Sequence, residues 1–129
     1  MKPAEKKPGS NQRIGGQGED LAVAFLARKG YTIVERNYRC KGGEVDLVAR
    51  DGKTVVFVEV KTRRSLSYGV PQLAVNHFKQ RQIMKASLTW LSSHRSHDAP
   101  ARFDVVAITL QNSGEAIIDH IQNAFELNY

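Results

Sequence analysis

The sequence predicts an α/β domain: a mixed β-sheet flanked by helices, in the order helix, three strands, helix, strand and a short fifth strand. Three observations predict it. Apolar residues recur at helical spacing in two separated segments, near 17–29 and 76–92. Between them, two strand-like runs flank an Asp51-Gly52 hairpin signal. A β-rich run at 102–110 follows the second helix, so the third and fourth strands make a right-handed crossover if they run parallel.

The elements follow in order. Residues 1–13 are polar and carry lysine and proline, which reads as a disordered basic tail; residues 14–129 read as one domain. From Gln17 to Lys29, Leu21, Ala22, Phe25 and Leu26 share one helix face, and Gly30 is a helix stop. Residues 31–39 form a first strand, and the Asp51-Gly52 hairpin supplies two more. Residues 65–72, with Tyr68, Gly69 and Pro71, read as a loop. The second helix turns Ile83, Ser87, Trp90 and Leu91 toward the sheet, and residues 102–110 and 116–120 complete it. There are no repeats.

Two strands carry an anomaly. Val55-Val56-Phe57-Val58 is apolar enough for the inside of a sheet, yet the strand continues into Glu59 and Lys61. An unpaired charge is costly in such a place. Residues two apart on a strand share a face. If Arg50 pairs with Lys53 across the turn, Glu44 lies opposite Glu59 and Asp46 opposite Phe57. Glu44, Asp46, Glu59 and Lys61 then gather on one face, with Asp46 and Glu59 diagonal neighbours roughly 7–8 Å apart at the backbone. Val45, Leu47, Ala49, Val56, Val58 and Val60 occupy the other face. A one-residue slip would separate the two acids.

Two converging carboxylates repel each other and suit a hard divalent cation, Mg²⁺ or Mn²⁺, which takes one or two carboxylates together with waters and phosphate oxygens. Asp46 and Glu59 are the candidate metal ligands, with the Val60 carbonyl as a further one. Lys61 is placed to assist an attacking water or to stabilise a phosphorane-like transition state. The set suits metal-assisted phosphodiester hydrolysis. The structural alternative is a salt bridge at the hairpin end, from Glu59 to Lys61 or Lys53, with Asp46 capping a turn.

Asp46 followed by Glu59-Val60-Lys61 resembles the PD-(D/E)xK nuclease superfamily, and the separation is similar to that in archaeal Holliday-junction resolvases. A wider set resembles the bacterial YraN-like family: Gly18-Glu19-Asp20-Leu21-Ala22, Gly43-Glu44-Val45-Asp46-Leu47-Val48, Val58-Glu59-Val60-Lys61 and Arg102-Phe103-Asp104-Val105-Val106. This resemblance runs from about Gly15 to the chain end. It implies a restriction-endonuclease-like fold and a metal-dependent endonuclease acting on DNA, including branched or structured DNA. The alternative is a non-catalytic nucleic-acid-binding module that retains the nuclease fold. The resolvases also imply a role for Glu19 as a further acid near the metal, and a two-fold homodimer. On the residues alone, Glu19 is equally a favourable acid at a helix N-terminus. Val45 stands where the superfamily places a proline before Asp46.

Composition agrees. The formal charge of +6 and pI near 9.7 make a polyanion a natural partner. Arg63, Arg64, Lys79, Arg81 and Lys85 are the candidate phosphate contacts, although a solvated helix face looks the same. Tyr68 could stack on an unpaired base or pack. His94, His97 and Asp98 read as a polar connector rather than a zinc site, there being no cysteines beside them. The single Cys40 excludes an internal disulfide and fits a reducing cytoplasm. No apolar stretch reaches membrane-spanning length, and the N-terminus lacks the apolar segment of a signal peptide.

Overall fold

A computed structural model describes residues 10–64, 75–96 and 98–125. The expected 65–72 loop with Tyr68, and His97, lie outside the described residues. Helix α1 (Ser10–Arg28), strands β1 (Thr32–Cys40), β2 (Gly43–Asp51) and β3 (Thr54–Arg64), helix α2 (His77–Ser93), and strands β4 (Ala101–Leu110) and β5 (Ala116–Ile121) follow in the predicted order. The sheet runs β1-β2-β3-β4-β5. β3 and β4 are parallel, as a crossover through α2 requires, and the other neighbours are antiparallel. No helix among the described residues is long and apolar enough to cross a membrane.

Helix α1 begins at Ser10, seven residues before the apolar periodicity does. Gly15, Gly16 and Gly18 explain the difference, since each glycine weakens an isolated helix by about 1 kcal/mol and reads as a loop signal.

The central strands are covered on both faces, which is why they read as nearly continuous apolar runs. On one side, Ile83, Ala86, Trp90 and Leu91 of α2 pack on Val48, Val55, Phe57, Phe103 and Val105. On the other, Ala22 and Leu26 of α1 pack with Tyr31 on Leu47, Ala49, Val56, Val58, Val106 and Ile108. The inward faces expected for both helices are observed, with Leu21 and Phe25 only partly buried.

The β2–β3 register differs from expectation by one residue on each strand. Asp51 pairs with Thr54 and Arg50 with Val55, so Gly52 and Lys53 form the turn. Gly52 has φ 63° and Lys53 no positive φ, the pattern of a hairpin turn with glycine first. The offset moves each strand by one position, so the pair sum changes by two and the faces are preserved. Its effect is to bring Asp46 nearer to Glu59, because continuing the observed ladder by one step sets them directly opposite.

One face assignment needs correction. Val45 packs with Val48 on the α2 side, not with Leu47 and Ala49 on the α1 side. Alternation breaks at Asp46. The partner strand breaks in the same place: Tyr38 packs toward the α2-side core, Arg36 reaches the α1 acids, and Asn37 between them has φ 55°. The pairs Arg36↔Leu47 and Tyr38↔Val45 bracket this irregularity.

Two glycines set how closely the helices approach. A Cβ on Gly18 would overlap the Thr62 hydroxyl, so α1 seats directly on β3 beside Lys61 and Arg63. A Cβ on Gly43 would lie 2.7 Å from both the Ala86 nitrogen and the Gln82 carbonyl oxygen, so β2 starts against the backbone of α2. Gly18→Ala and Gly43→Ala should each lower stability, by about 1–3 kcal/mol or more. Thr62→Ala should recover part of the Gly18→Ala loss, because a side chain is the obstacle there. No single side-chain truncation should rescue Gly43→Ala, whose obstacles are backbone atoms. Denaturant midpoints of the singles and the Gly18→Ala/Thr62→Ala double mutant check this, and additive losses in the double would contradict it.

Candidate functional site

The β2–β3 ladder ends at Leu47↔Val58. Beyond it the gap is bridged by a side chain: the Val60 N–H donates to Asp46 Oδ2 at 2.8 Å. A carboxylate thus takes the place of a strand partner. In an extended strand a residue's N–H and C=O point to the same edge, so the Val60 carbonyl also faces the gap that Asp46 enters.

Glu59 precedes that bridge. It is 9% exposed, and its Oε1 meets no hydrogen-bond partner among the described residues. Burial, followed by the neighbouring Asp46 carboxylate, pushes its pKa up to about 8, against the opposing pull of Lys79 and Lys61. The Lys79 ammonium is 3.8 Å from Glu59 Oε2, at the long end of an ion pair. Its environment therefore favours the carboxylic acid, which shares a hydrogen bond with Asp46; ionised, Glu59 leaves Oε1 without a donor among the described residues. Buried polar atoms are normally partnered, so such an atom in a cleft marks a candidate site.

The cleft is a cavity of about 580 Å³, walled by Glu59 and Lys61 of β3 and by Phe78, Lys79 and Gln82 of α2. Asn76 caps α2, accepting the Lys79 N–H at 2.8 Å, which fixes the first turn of the helix over the end of β3. The donor set fits a hard cation: two carboxylates, one with an orphaned oxygen, and a backbone carbonyl on the same edge, leaving other positions for water and phosphate. Among the described residues no three His, Cys, Asp or Glu side chains converge as a metal-binding group.

Asp46, Glu59, Val60 and Lys61 are thus brought together. Glu19 is placed differently. Its Oε1 accepts from Arg36 Nη2 at 3.1 Å and from Asn37 Nδ2 at 3.0 Å, so it ties α1 to the irregular part of β1, beside the strand that carries Asp46. Of the candidate phosphate contacts, Lys79 lines the cleft. Arg81, two residues along, lies on another side of α2 and is exposed, as is Lys85. Arg63 and Arg64 continue β3 past Lys61, half-buried and exposed respectively. His94 ends α2, stacked on Trp90 at 3.9 Å between ring centroids.

A second polar cluster escaped sequence reasoning. Asp104 is fully buried, accepting from Arg102 Nε at 2.9 Å and from the Asn123 N–H at 3.0 Å, with His120 Nε2 at 2.8 Å. Burial alone would raise its pKa, but these hydrogen bonds hold it below the usual carboxylate value. Lys29 Nζ lies 2.8 Å from His120 Nδ1, and Arg102 Nη2 donates to the Tyr31 hydroxyl at 2.6 Å. The signal was an acid inside the apolar run Phe103-Asp104-Val105-Val106, but its partner His120 is on another strand.

Fold and site together define a small mixed α/β domain with a cleft lined by Glu59 where a central strand pair opens, and with Asp46 beside that acid. The chain belongs to the uncharacterised protein family UPF0102, whose family model matches residues 18–108 and so spans Gly18, Gly43, Asp46, Glu59, Lys61 and Asp104. It is 62% identical over 119 residues to a UPF0102 protein of Geobacter sulfurreducens, covering 92% of this chain and 93% of the relative. A UPF0102 protein of Pelobacter propionicus is 57% identical over 129 residues, covering 98% and 92%. One from Rhodococcus opacus is 46% identical over 115 residues, covering 89% and 98%. The YraN-like resemblance is borne out at the level of the family.

The Glu59 environment predicts a pH signature. The unfolded chain releases this proton near 4.5 and the fold retains it to about 8. The native state therefore binds more protons across that window, and this group's contribution falls as pH rises through it. Without divalent cations, Glu59→Gln should lose less stability than wild type between pH 5 and pH 8. It should be the more stable protein at pH 8, by about 1–3 kcal/mol. Thermal melts of both proteins in chelator at several pH values measure this, and parallel pH curves would contradict it.

Proposed function

We propose that this protein is a divalent-metal-dependent endonuclease of the PD-(D/E)xK type, hydrolysing phosphodiester bonds in DNA. The observation that supports it most is the convergence of Asp46 on buried Glu59, whose Oε1 has no donor among the described residues, at the edge of an open cleft that Glu59 and Lys61 line. Asp46, Glu59 and the Val60 carbonyl would hold Mg²⁺ or Mn²⁺. Such an ion lowers the pKa of a coordinated water and offsets charge on the scissile phosphate.

The chain's own residues supply the rest. Asp46 is oriented by the Val60 N–H, so one acid is already fixed before any ligand arrives. Glu59 gives up its proton as it takes up its role, which ties the site to pH. Lys61 flanks it on the same cleft wall, where an ammonium orients the attacking water or stabilises the added charge at phosphorus. Lys79 and the Arg63-Arg64 end of β3 offer positive charge for a phosphate backbone, which draws a polyanion regardless of sequence. The net charge of +6 supports that partner. Branched or structured DNA, a two-fold homodimer matched to it and a cytoplasmic setting belong to the same proposal.

The second reading is a nucleic-acid-binding module without turnover. It draws on the placement of Glu19, whose Oε1 is occupied by β1 rather than directed at the acid pair.

A cleavage panel separates them, using duplex, nicked, branched and single-stranded DNA and RNA with Mg²⁺, Mn²⁺ or chelator. Wild type should cut DNA only with a divalent ion. Asp46→Asn and Glu59→Gln should abolish cleavage while binding in chelator persists or tightens, because each removes or precludes a negative charge near phosphate. Lys61→Ala should slow turnover by about 10²–10³-fold, and Asp119→Asn, on the exposed side of β5, should match wild type. Binding without metal-dependent cleavage, or cleavage that survives Glu59→Gln at the wild-type rate, would establish the binding-module reading.

A further inference from the structure

Phe78 is 63% exposed, the most exposed of the large apolar side chains among the described residues, and it lines the same cleft as Glu59 and Lys61. It stands in the first turn of α2, a position fixed by the Asn76 cap. A phenyl ring left in water forgoes the stabilisation that burial elsewhere gives it. Here it forms an apolar wall in a cavity that also holds Glu59, Lys61 and Lys79. Lys61 flanks it from β3 and Lys79 from the next position on the helix.

We infer that Phe78 is a stacking platform for an unpaired nucleobase, and that the cleft takes a single splayed nucleotide rather than intact duplex. This deepens the proposed function by assigning the substrate class of the same site. Two features of the cleft carry it. The cavity of about 580 Å³ falls within the range of small-ligand sites, roughly 300–1,000 Å³, which suits one nucleotide and not a double helix. Its chemistry divides as a nucleotide does, with an aromatic face for the base and two ammonium groups for the phosphate. Aromatic side chains interleaved with positive charge are the general means of holding single strands without reading sequence. Within a duplex both faces of each interior base are covered by its neighbours, so a flap, an unpaired base at a junction or a single strand is what offers a free face to Phe78.

The test measures binding rather than turnover. Fluorescence anisotropy in chelator compares wild type, Phe78→Ala and Phe78→Trp on one sequence, presented as a single strand, as a flap and as a blunt duplex. Phe78→Ala should weaken the single strand and the flap by between about fivefold and a hundredfold. It should change the duplex by less than about twofold, a difference that loss of folding or of charge would not produce. Phe78→Trp should retain or improve single-strand affinity, with its indole fluorescence quenched as the base stacks.

Wild-type affinity for all three forms in Phe78→Ala, or an equal loss on all three, overturns the inference. The two proposals fail separately. A protein that cleaves with metal but is indifferent to Phe78→Ala keeps the nuclease and loses the stacking site. One that shows the Phe78 selectivity but no metal-dependent cleavage keeps the stacking site and loses the nuclease. Wild type that binds no nucleic acid in any form removes both.

Discussion

The hydrogen bond from the Val60 N–H to Asp46 is the constraint on which the cleft depends. Two strands that pair regularly up to Leu47 and Val58 would ordinarily continue to zip together. Here a carboxylate fills the place of a backbone acceptor. Hydrogen bonds to a charged group contribute about 1.5–3 kcal/mol, enough to hold such a substitution. Its consequences spread outward. Alternation breaks at Asp46, Val45 turns to the α2 side, and Asn37 on the next strand adopts φ 55° to follow. Gly43 then lets the start of β2 rest on the backbone of α2. The helix is thereby held over the open end of β3, closing one wall of the cavity.

Two buried acids on adjacent strands show what is unusual about this arrangement. Asp104 of β4 pairs in register with Val58, and the neighbouring pair is Val105 with Glu59. The two acids are thus one step apart in the ladder and on opposite faces of the sheet. Asp104 is served by Arg102, His120 and a backbone N–H, and its pKa is held down. Glu59 has a distant lysine, a second carboxylate and an oxygen with no donor among the described residues, and its pKa is held up. The first is the pattern of a structural acid, satisfied within the fold. The second is the pattern of an acid whose partner comes from outside. Under the proposed function, the partner of Glu59 would be the bound cation.

Much of this was legible in the sequence because it rests on local rules. The order of elements follows from apolar periodicity and turn chemistry, and the acid pair follows from strand parity, which a two-position change in register leaves intact. What escaped was set by contacts between distant segments. The turn moved by one residue because Gly52 takes the first central position, which Asp51-Gly52 as a dipeptide does not specify. The close seat of α1 on β3 depends on Gly18 fitting against Thr62, and glycines alone argue for a loop. The role of Glu19 depends on Arg36 and Asn37, whose side chains are oriented by a break in alternation that apolar patterning conceals. The exposure of Phe78 was hidden too, since helical spacing cannot distinguish an aromatic that packs from one that lines a cavity.

The proposed function requires Asp46 and Glu59 to form a proton-loaded site for one divalent cation. Calorimetric titration of the purified protein with Mn²⁺ near pH 7, in two buffers of different ionisation enthalpy, tests it most directly. A cation that displaces the Glu59 proton should bind at one saturable site and release about one proton per ion. The released fraction should shrink as pH rises past about 8, the value to which Glu59 is pushed. Both binding and proton release should vanish in Glu59→Gln. Saturable binding that is unchanged in Glu59→Gln, or no binding by the folded wild type, would contradict the claim.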